Sequence, residues 1–319
     1  MGRINIPRLT YDLTDHCNLR CSGCDQASPW HGTRFTKLSS FEEDFRFLCS
    51  VCDVGELSFA GGEPLQHPQL IQFLQSARKH SFARELRIIT NGVLLQKLTQ
   101  AALEYLDYIV ISLYPGVRYR HDFRAFATLA KKQNVFVGVV MRQQFRRALV
   151  NSAIESKEAI EAIHRSCILR DYCHTVYDGR YYRCPRAHRL EPRMRVIGTT
   201  VANRDSDSVM LRGNANLRAD MTDYLAEETP LNACTYCLGT VGDTMPVVQM
   251  NRTRLQAEQG ARQAPLSLLD PSIDLRNPPE RESPQEGWSK HVFETLSDFL
   301  DRVETSGKSI EQFVAGEST

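Results

Sequence analysis

No run of apolar residues in this 319-residue sequence approaches the roughly 20 needed to cross a bilayer, so a membrane-spanning helix is not expected. The opening residues, Met1-Gly2-Arg3-Ile4-Asn5-Ile6-Pro7, also lack the apolar stretch of a secretory signal. Gly2 follows Met1 as in a myristoylation site, but Ile6 stands where that motif needs Ser or Thr. Neither sign of charge is in excess. With 39 Lys and Arg against 38 Asp and Glu, the net charge is +1, and no global field speaks for nucleic acid or an anionic membrane. Internal repeats are absent too, which argues against solenoids and propellers. Together these absences lead to the expectation of a cytoplasmic protein with no nucleic-acid or membrane partner.

Cysteine, by contrast, is plentiful. There are ten, and nothing in the sequence directs export, so a disulfide framework is not expected. In a reducing compartment, clustered thiols more often bind metal or do chemistry. They fall into groups at 17/21/24, 49/52, 167/173/184 and 234/237.

Hydrophobic patterning divides the chain into three parts. Residues 1–165 alternate strand and helix patterns, with strand candidates at Leu9–Leu13, Glu56–Phe59, Leu86–Thr90, Tyr108–Leu113 and Val135–Met141. A helix is predicted from a capping box at Ser40-Phe41-Glu42-Glu43, with Phe41, Phe45, Leu48, Cys49 and Cys52 on one face. That placement reads Cys49 and Cys52 as core residues. The rhythm predicts an α/β fold with a parallel sheet. About five to six strands make an open, partial β/α barrel, since the space does not hold eight.

Residues 166–245 form a second part, read as a small α+β extension. After a helix around Glu155–His164, Asp178-Gly179 separates two β-rich halves and predicts a hairpin. Another helix is predicted near Leu217–Ala226. Residues 246–319 are rich in Gln, Arg, Pro and Ser, which predicts linker or irregular wrap before a last amphipathic helix over roughly Trp288–Val303.

The first cysteine group lies directly after the first strand as Cys17-x3-Cys21-x2-Cys24. Three thiolates on one loop can bind three irons of a cubane and leave the fourth open to another ligand. An open coordination position marks a catalytic rather than a structural metal centre. A zinc knuckle completed by His16 is the alternative on spacing alone. The segments after the later strands narrow the choice. Gly61-Gly62-Glu63-Pro64 follows the second strand, Thr90-Asn91-Gly92 the third, Ser112 sits late in the fourth, and Arg142 stands just past the fifth. In this order, over residues 9–142, the chain resembles the radical S-adenosylmethionine (SAM) superfamily.

The resemblance implies a [4Fe–4S] cluster on Cys17, Cys21 and Cys24. Its open iron would chelate SAM, and electron transfer from an external donor such as flavodoxin or ferredoxin would yield a 5′-deoxyadenosyl radical. Gly61, Gly62, Glu63 and Pro64 would meet the SAM amino group, with Glu63 accepting from the ammonium. Thr90, Asn91, Ser112 and Arg142 would lie near the ribose or carboxylate. The segment Gly179-x4-Cys184, with Cys234-x2-Cys237 downstream, resembles the Twitch form of SPASM domains, which hold an auxiliary [4Fe–4S] cluster. A zinc ribbon is the alternative for this second set.

Its upstream ligand is ambiguous. Cys167 suits the family spacing and is favoured, whereas a two-residue turn at 178–179 would put Cys173 across from Cys184. The thiol left unused, expected to be Cys173, becomes a candidate hydrogen donor. A compact Twitch extension resembles carbohydrate dehydrogenases and aminoglycoside epimerases. This implies epimerisation or oxidation of a small, carbohydrate-type substrate. Radical modification of a ribosomally made peptide is the alternative, disfavoured because Cys17 follows the start with no leader-binding domain before it. Arg142, Arg146 and Arg147 would suit an anionic group such as a nucleotide-sugar phosphate, with a solvated basic face after the strand as the equal alternative.

Overall fold

The computed structural model describes residues 2–201, 205–280 and 293–316. Five parallel strands form its centre: β1 (Ile4–Thr14), β2 (Cys52–Gly61), β3 (Glu85–Thr90), β4 (Tyr108–Leu113) and β5 (Phe136–Met141). These are the five expected strands, with β1 and β2 extended at both ends. Helices α1 (Leu38–Val51), α2 (Leu70–Lys79), α3 (Gln100–Leu103) and α4 (Phe123–Lys132) join them. All six residues of β4 are buried. A strand covered on both faces needs the near-continuous apolar run that made these segments legible.

Two local readings need correction. Helix α1 begins at Leu38, with Lys37 as an N-cap that makes no side-chain bond, so Ser40 lies inside the helix. The reason is tertiary. Thr36 is pinned to β1 by its N–H to Leu13 O at 2.9 Å and its hydroxyl to Asp12 O at 3.1 Å, which starts the helix early. Cys52 is not on the helix face, because it opens β2 opposite Ile4. It is nonetheless fully buried, while Cys49 is half-buried. Phe41, Phe45, Phe59 and Phe73 fill the space between helices and sheet and are likewise fully buried.

The sheet does not stop at β1. Hairpin strands β7 (His174–Tyr177) and β8 (Arg180–Tyr182), followed by β9 (Val209–Met210), continue it. The nine-strand order is β11-β5-β4-β3-β2-β1-β7-β8-β9, where β11 is Glu294–Thr295. The hairpin turn is as predicted: Asp178 and Gly179 have φ of 49° and 77°, the doubly left-handed pair of a two-residue turn. What the sequence did not reveal is that β7 pairs in parallel with β1, joining the extension to the barrel sheet. The sheet remains open, because neither β9 nor β11 pairs with the other.

Past the sheet, helices α5 (Lys157–Ser166), α6 (Leu169–Tyr172), α7 (Pro185–Val196) and α8 (Leu217–Ala226) carry the second cysteine region. The chain beyond 245 is more regular than expected. Strand β10 (Thr244–Pro246) pairs with β6 (Gln144–Arg146), and helix α9 (Arg252–Gly260) comes after it. The last predicted helix begins later, as α10 (Leu296–Ser306), succeeded by α11 (Ile310–Ala315). The Trp288–Val292 part of that prediction lies outside the described residues. No helix among the described residues is long and apolar enough to cross a membrane.

Candidate active site

The Cys17–Cys24 loop leaves β1 and is held on three sides. From β2, Gly62 N–H donates to Thr14 O at 2.6 Å and Glu63 N–H to His16 O at 2.8 Å. A Cβ at Gly62 would stand 2.0 Å from His16 O, and one at Gly61, whose φ is +115°, 2.2 Å from Thr14 O. These glycines are therefore required by the cysteine loop itself, whatever ligand they also meet. From the far end of the chain, Ser22 N–H donates to Val248 O at 2.9 Å and Met250 N–H to Arg20 O at 2.8 Å. The segment read as linker thus forms the loop's third wall.

The thiols meet donors. Leu19 N–H points at Cys17 Sγ at 3.4 Å, and Gln249 Nε2 donates to Cys21 Sγ at 3.1 Å. Asn91 Nδ2 lies 3.7 Å from Cys17 Sγ and donates to Asn18 Oδ1 at 2.7 Å. Such donors favour thiolates, while burial pushes the Cys17 and Cys21 thiols up to about 12 in the metal-free protein. Loading metal would have to displace those protons.

All three cysteines open onto a cavity of about 330 Å³ at the strand C-terminal rim. Gly61, Gly62, Thr90, Asn91, Ser112 and Arg142 also line it, as the motif order implied. Glu63 and Pro64 are not among the lining residues. Pro64 is buried at the start of a short turn, Pro64–Gln66. The Glu63 carboxylate is completely buried and already accepts from Leu65 N–H at 3.0 Å, Thr90 Oγ1–H at 2.7 Å and Asn91 N–H at 2.8 Å. It is thereby tied to the cavity-lining residues Thr90 and Asn91.

Burial raises Glu63 to about 7, against these three donors, which lower it. A carboxylic acid that titrates near 7 when folded and near 4.5 when unfolded leaves the folded state holding more protons between those values. Stability should therefore fall as pH rises through this window, by up to roughly 1.4 kcal/mol per pH unit. Glu63→Gln is expected to remove that component of the slope, read from urea unfolding at pH 5, 6 and 7. Identical slopes in both proteins would contradict it.

The second cysteine set lies apart from the first. Burial first, then the thiols of Cys237, Cys184 and Cys167, raise the Cys234 thiol, and Cys184 is raised by burial and by Cys167 and Cys237. These four therefore sit together. Cys173 does not join them: the hairpin ladder ends at Thr175–Tyr182, short of the Cys173–Cys184 register. It lines the 330 Å³ cavity instead, beside Asp25, Arg186, Arg87 and Arg189. Of the two candidate ligands, Cys167 is the one with the other three thiols. No three His, Cys, Asp or Glu among the described residues converge as a single ion requires. A four-iron cube asks for less convergence, since each thiolate meets a separate corner.

Arginines are the residues the sequence reading missed. Arg186 and Arg189 line the cavity from α7 and reach Asp25 and Asp12 at 2.7 and 3.2 Å. Arg87 pairs with Glu56 at 2.9 Å, and Arg8 also faces in. Burial works to raise Asp25, but Arg186 and Arg189 outweigh it and hold the carboxyl below its ordinary value. A signal existed. Arg186, Arg189 and Arg193 recur at helical spacing directly after Cys184-Pro185, and all three are buried. Arg146 lines the cavity while pairing with Asp270 at 3.4 Å, and Arg147 pairs with Asp243 at 2.8 Å.

Residues 11–131 match the family model of the Radical SAM superfamily. This stretch of the chain is similar to a radical SAM domain. Among curated proteins, the GTP 3′,8-cyclase of Geobacter sulfurreducens is 32% identical over 143 residues, covering 43% of this chain and 42% of the cyclase. The GTP 3′,8-cyclase of Sulfurovum sp. is 33% identical over 121 residues, 36% of this chain and 37% of the cyclase. The chain thus spans less than half the length of these relatives. Among solved structures, BtrN in complex with AdoMet and 2-DOIA aligns with a TM-score of 0.44 at 17% identity, over 74% of this chain and 86% of BtrN. Streptococcus suis SuiB bound to S-adenosylmethionine aligns at 0.33 and 18%, over 42% and 32%. The matched stretch runs from β1 into the end of α4 and contains the three motif cysteines, Glu63 and Ser112.

Proposed function

We propose that the protein is a radical SAM enzyme that epimerises or oxidises a carbon of a small sugar-type substrate. The observation that carries this reading is one cavity onto which the three motif cysteines, the motif positions Gly61, Gly62, Thr90, Asn91, Ser112 and Arg142, and Cys173 all open. When bound, a reduced cluster with SAM would supply a 5′-deoxyadenosyl radical able to take hydrogen from an unactivated carbon. The protein's own residues would decide the fate of the substrate radical. Cys17, Cys21 and Cys24 would hold the first cluster, and Cys167, Cys184, Cys234 and Cys237 an auxiliary one. Asn91, braced by Glu63, would orient the ligand at the rim, with Ser112 and Arg142 opposite the glycines.

The cavity's charge narrows the substrate. Six arginines, Arg8, Arg87, Arg142, Arg146, Arg186 and Arg189, line it with Asp25 as the lining carboxylate. Of these, Arg87, Arg146, Arg186 and Arg189 have carboxylate partners, which among the described residues leaves Arg8 and Arg142 to meet a ligand. A polyaminated sugar would set cations against cations. A sugar carrying a phosphate or carboxylate fits better, Arg being suited to bidentate contact with either. The relatives named for a reaction of GTP make a nucleotide anion a natural comparison.

The test uses the anaerobically reconstituted, reduced protein. It is expected to cleave SAM to 5′-deoxyadenosine, with deuterium passing into that product from a labelled sugar phosphate. No cleavage would refute the enzyme reading. Cleavage with transfer only from a labelled peptide, or only from GTP, would refute the sugar assignment.

A further inference from the structure

Arg186 stands between the two cysteine sets. Its Nε donates to Asp25 Oδ1 at 2.7 Å, and Asp25 directly follows Cys24. Its Nη1 donates to Gly239 O at 2.7 Å and reaches Cys237 Sγ at 3.9 Å. Gly239 in turn abuts the other set: a Cβ there would lie 3.4 Å from Cys167 Sγ, and Gly239 N–H points at Cys237 Sγ at 3.3 Å. Arg186 is itself two residues past Cys184, on the first turn of α7, where Pro185 at the helix start fixes the chain direction. One guanidinium therefore touches the loop of the first set and the loop of the second. With its side chain only 7% exposed, water does little to screen it.

We propose that Arg186 is a positioning residue shared by two iron–sulfur sites, tying the Cys24–Asp25 loop to the Cys237–Gly239 loop and raising the reduction potential of the auxiliary cluster. The inference rests on the two-cluster reading above. Reduction adds a negative charge to a cluster, so a cation at its sulfurs stabilises the reduced state and raises the potential. Asp25 opposes this by compensating the same guanidinium. The planar fork matters as well as the charge, since it serves Asp25 through one nitrogen and Gly239 through another. A lysine would keep the charge but hold one loop at a time.

The experiment is a redox titration of the reconstituted protein followed by electron paramagnetic resonance. It begins with the parent reading. A Cys17→Ala, Cys21→Ala, Cys24→Ala variant is expected to keep the auxiliary cluster alone, and a variant with no cluster would sink the two-cluster reading independently of Arg186. In protein holding both clusters, Arg186→Met is expected to lower the reduced-to-oxidised ratio of the auxiliary couple about tenfold at fixed poise, which is about 59 mV for one electron. Arg186→Lys should recover most of that shift, and Asp25→Asn should move the couple the other way. A merely structural arginine would change iron content or melting temperature without shifts of opposite sign. An unmoved auxiliary couple in Arg186→Met with full iron overturns the proposal. If Arg186→Met fails to hold iron, Asp25→Asn decides alone, and an unmoved couple there overturns it equally.

Discussion

Replacing Cys17, Cys21 or Cys24 with alanine is expected to bring 5′-deoxyadenosine formation down to background, while about half of the wild-type iron remains bound. The three thiols lie on one loop, whereas Cys173, the other thiol that lines their cavity, belongs to the second cysteine region. The amides beside them already have partners: Gln249 donates to Cys21 Sγ, and Asn18 Oδ1 accepts from Asn91 and from the Cys17 thiol. Losing one thiolate therefore leaves an iron corner without a protein ligand, and the open corner that SAM needs is no longer distinguished from an accidental one. On the proposed two-cluster reading the remaining iron would belong to Cys167, Cys184, Cys234 and Cys237, which lie outside that loop. Cys184→Ala should give the converse: loss of the other half of the iron, with SAM cleavage retained at a measurable level. Iron and sulfide analysis with chromatographic quantification of 5′-deoxyadenosine checks both arms. A Cys17→Ala protein that still cleaves SAM would remove the first cluster assignment. A Cys184→Ala protein with full iron would remove the second.

The contrast between what was legible and what was not arises from how far apart the partners lie in sequence. The five parallel strands were legible because burial on both faces demands an apolar run in each, and the hairpin because Asp178-Gly179 can take the left-handed pair of φ values. The motif residues fell at strand ends, where an open α/β sheet gathers its ligands. Sequence spacing could not reveal that Gln249 meets Cys21 across 228 positions, or that β7 lies beside β1. These contacts are set by tertiary packing and leave no local pattern. Glu63 shows the same limit: its motif position implied a ligand contact, and spacing could not show that it is also fully buried and braces Thr90 and Asn91. The arginines of α7 were visible as a helical stripe, yet a basic stripe usually faces water. Only burial against Asp12 and Asp25 distinguishes this one.

The second large effect is expected at Cys173. Among the second-region cysteines it alone opens onto the cavity shared with the motif thiols, while Cys167 joins the other set. Burial, reinforced by Asp25 and opposed by Arg186, raises its thiol to about 11. At neutral pH it is therefore S–H, the form able to hand on a hydrogen atom. Once a substrate carbon has lost its hydrogen on one face, transfer from Cys173 to the opposite face would complete an epimerisation. The S–H bond breaks, a C–H bond forms, and a sulfur radical remains. One electron from the external donor and one proton from solvent would restore the thiol. Cys173→Ala is then expected to cleave SAM within a few-fold of wild type but to lose the epimer, with oxidised product or unproductive SAM consumption in its place. Cys173→Ser should behave the same way, because a hydroxyl hydrogen is far harder to abstract than a thiol hydrogen. Solvent isotope supplies a separate readout, since a thiol exchanges freely with water. In deuterium oxide the wild-type epimer should carry one deuterium at the inverted carbon. Unchanged epimer yield in Cys173→Ala, or epimer formed in deuterium oxide without label, would exclude Cys173 as the donor and assign the returned hydrogen to another group.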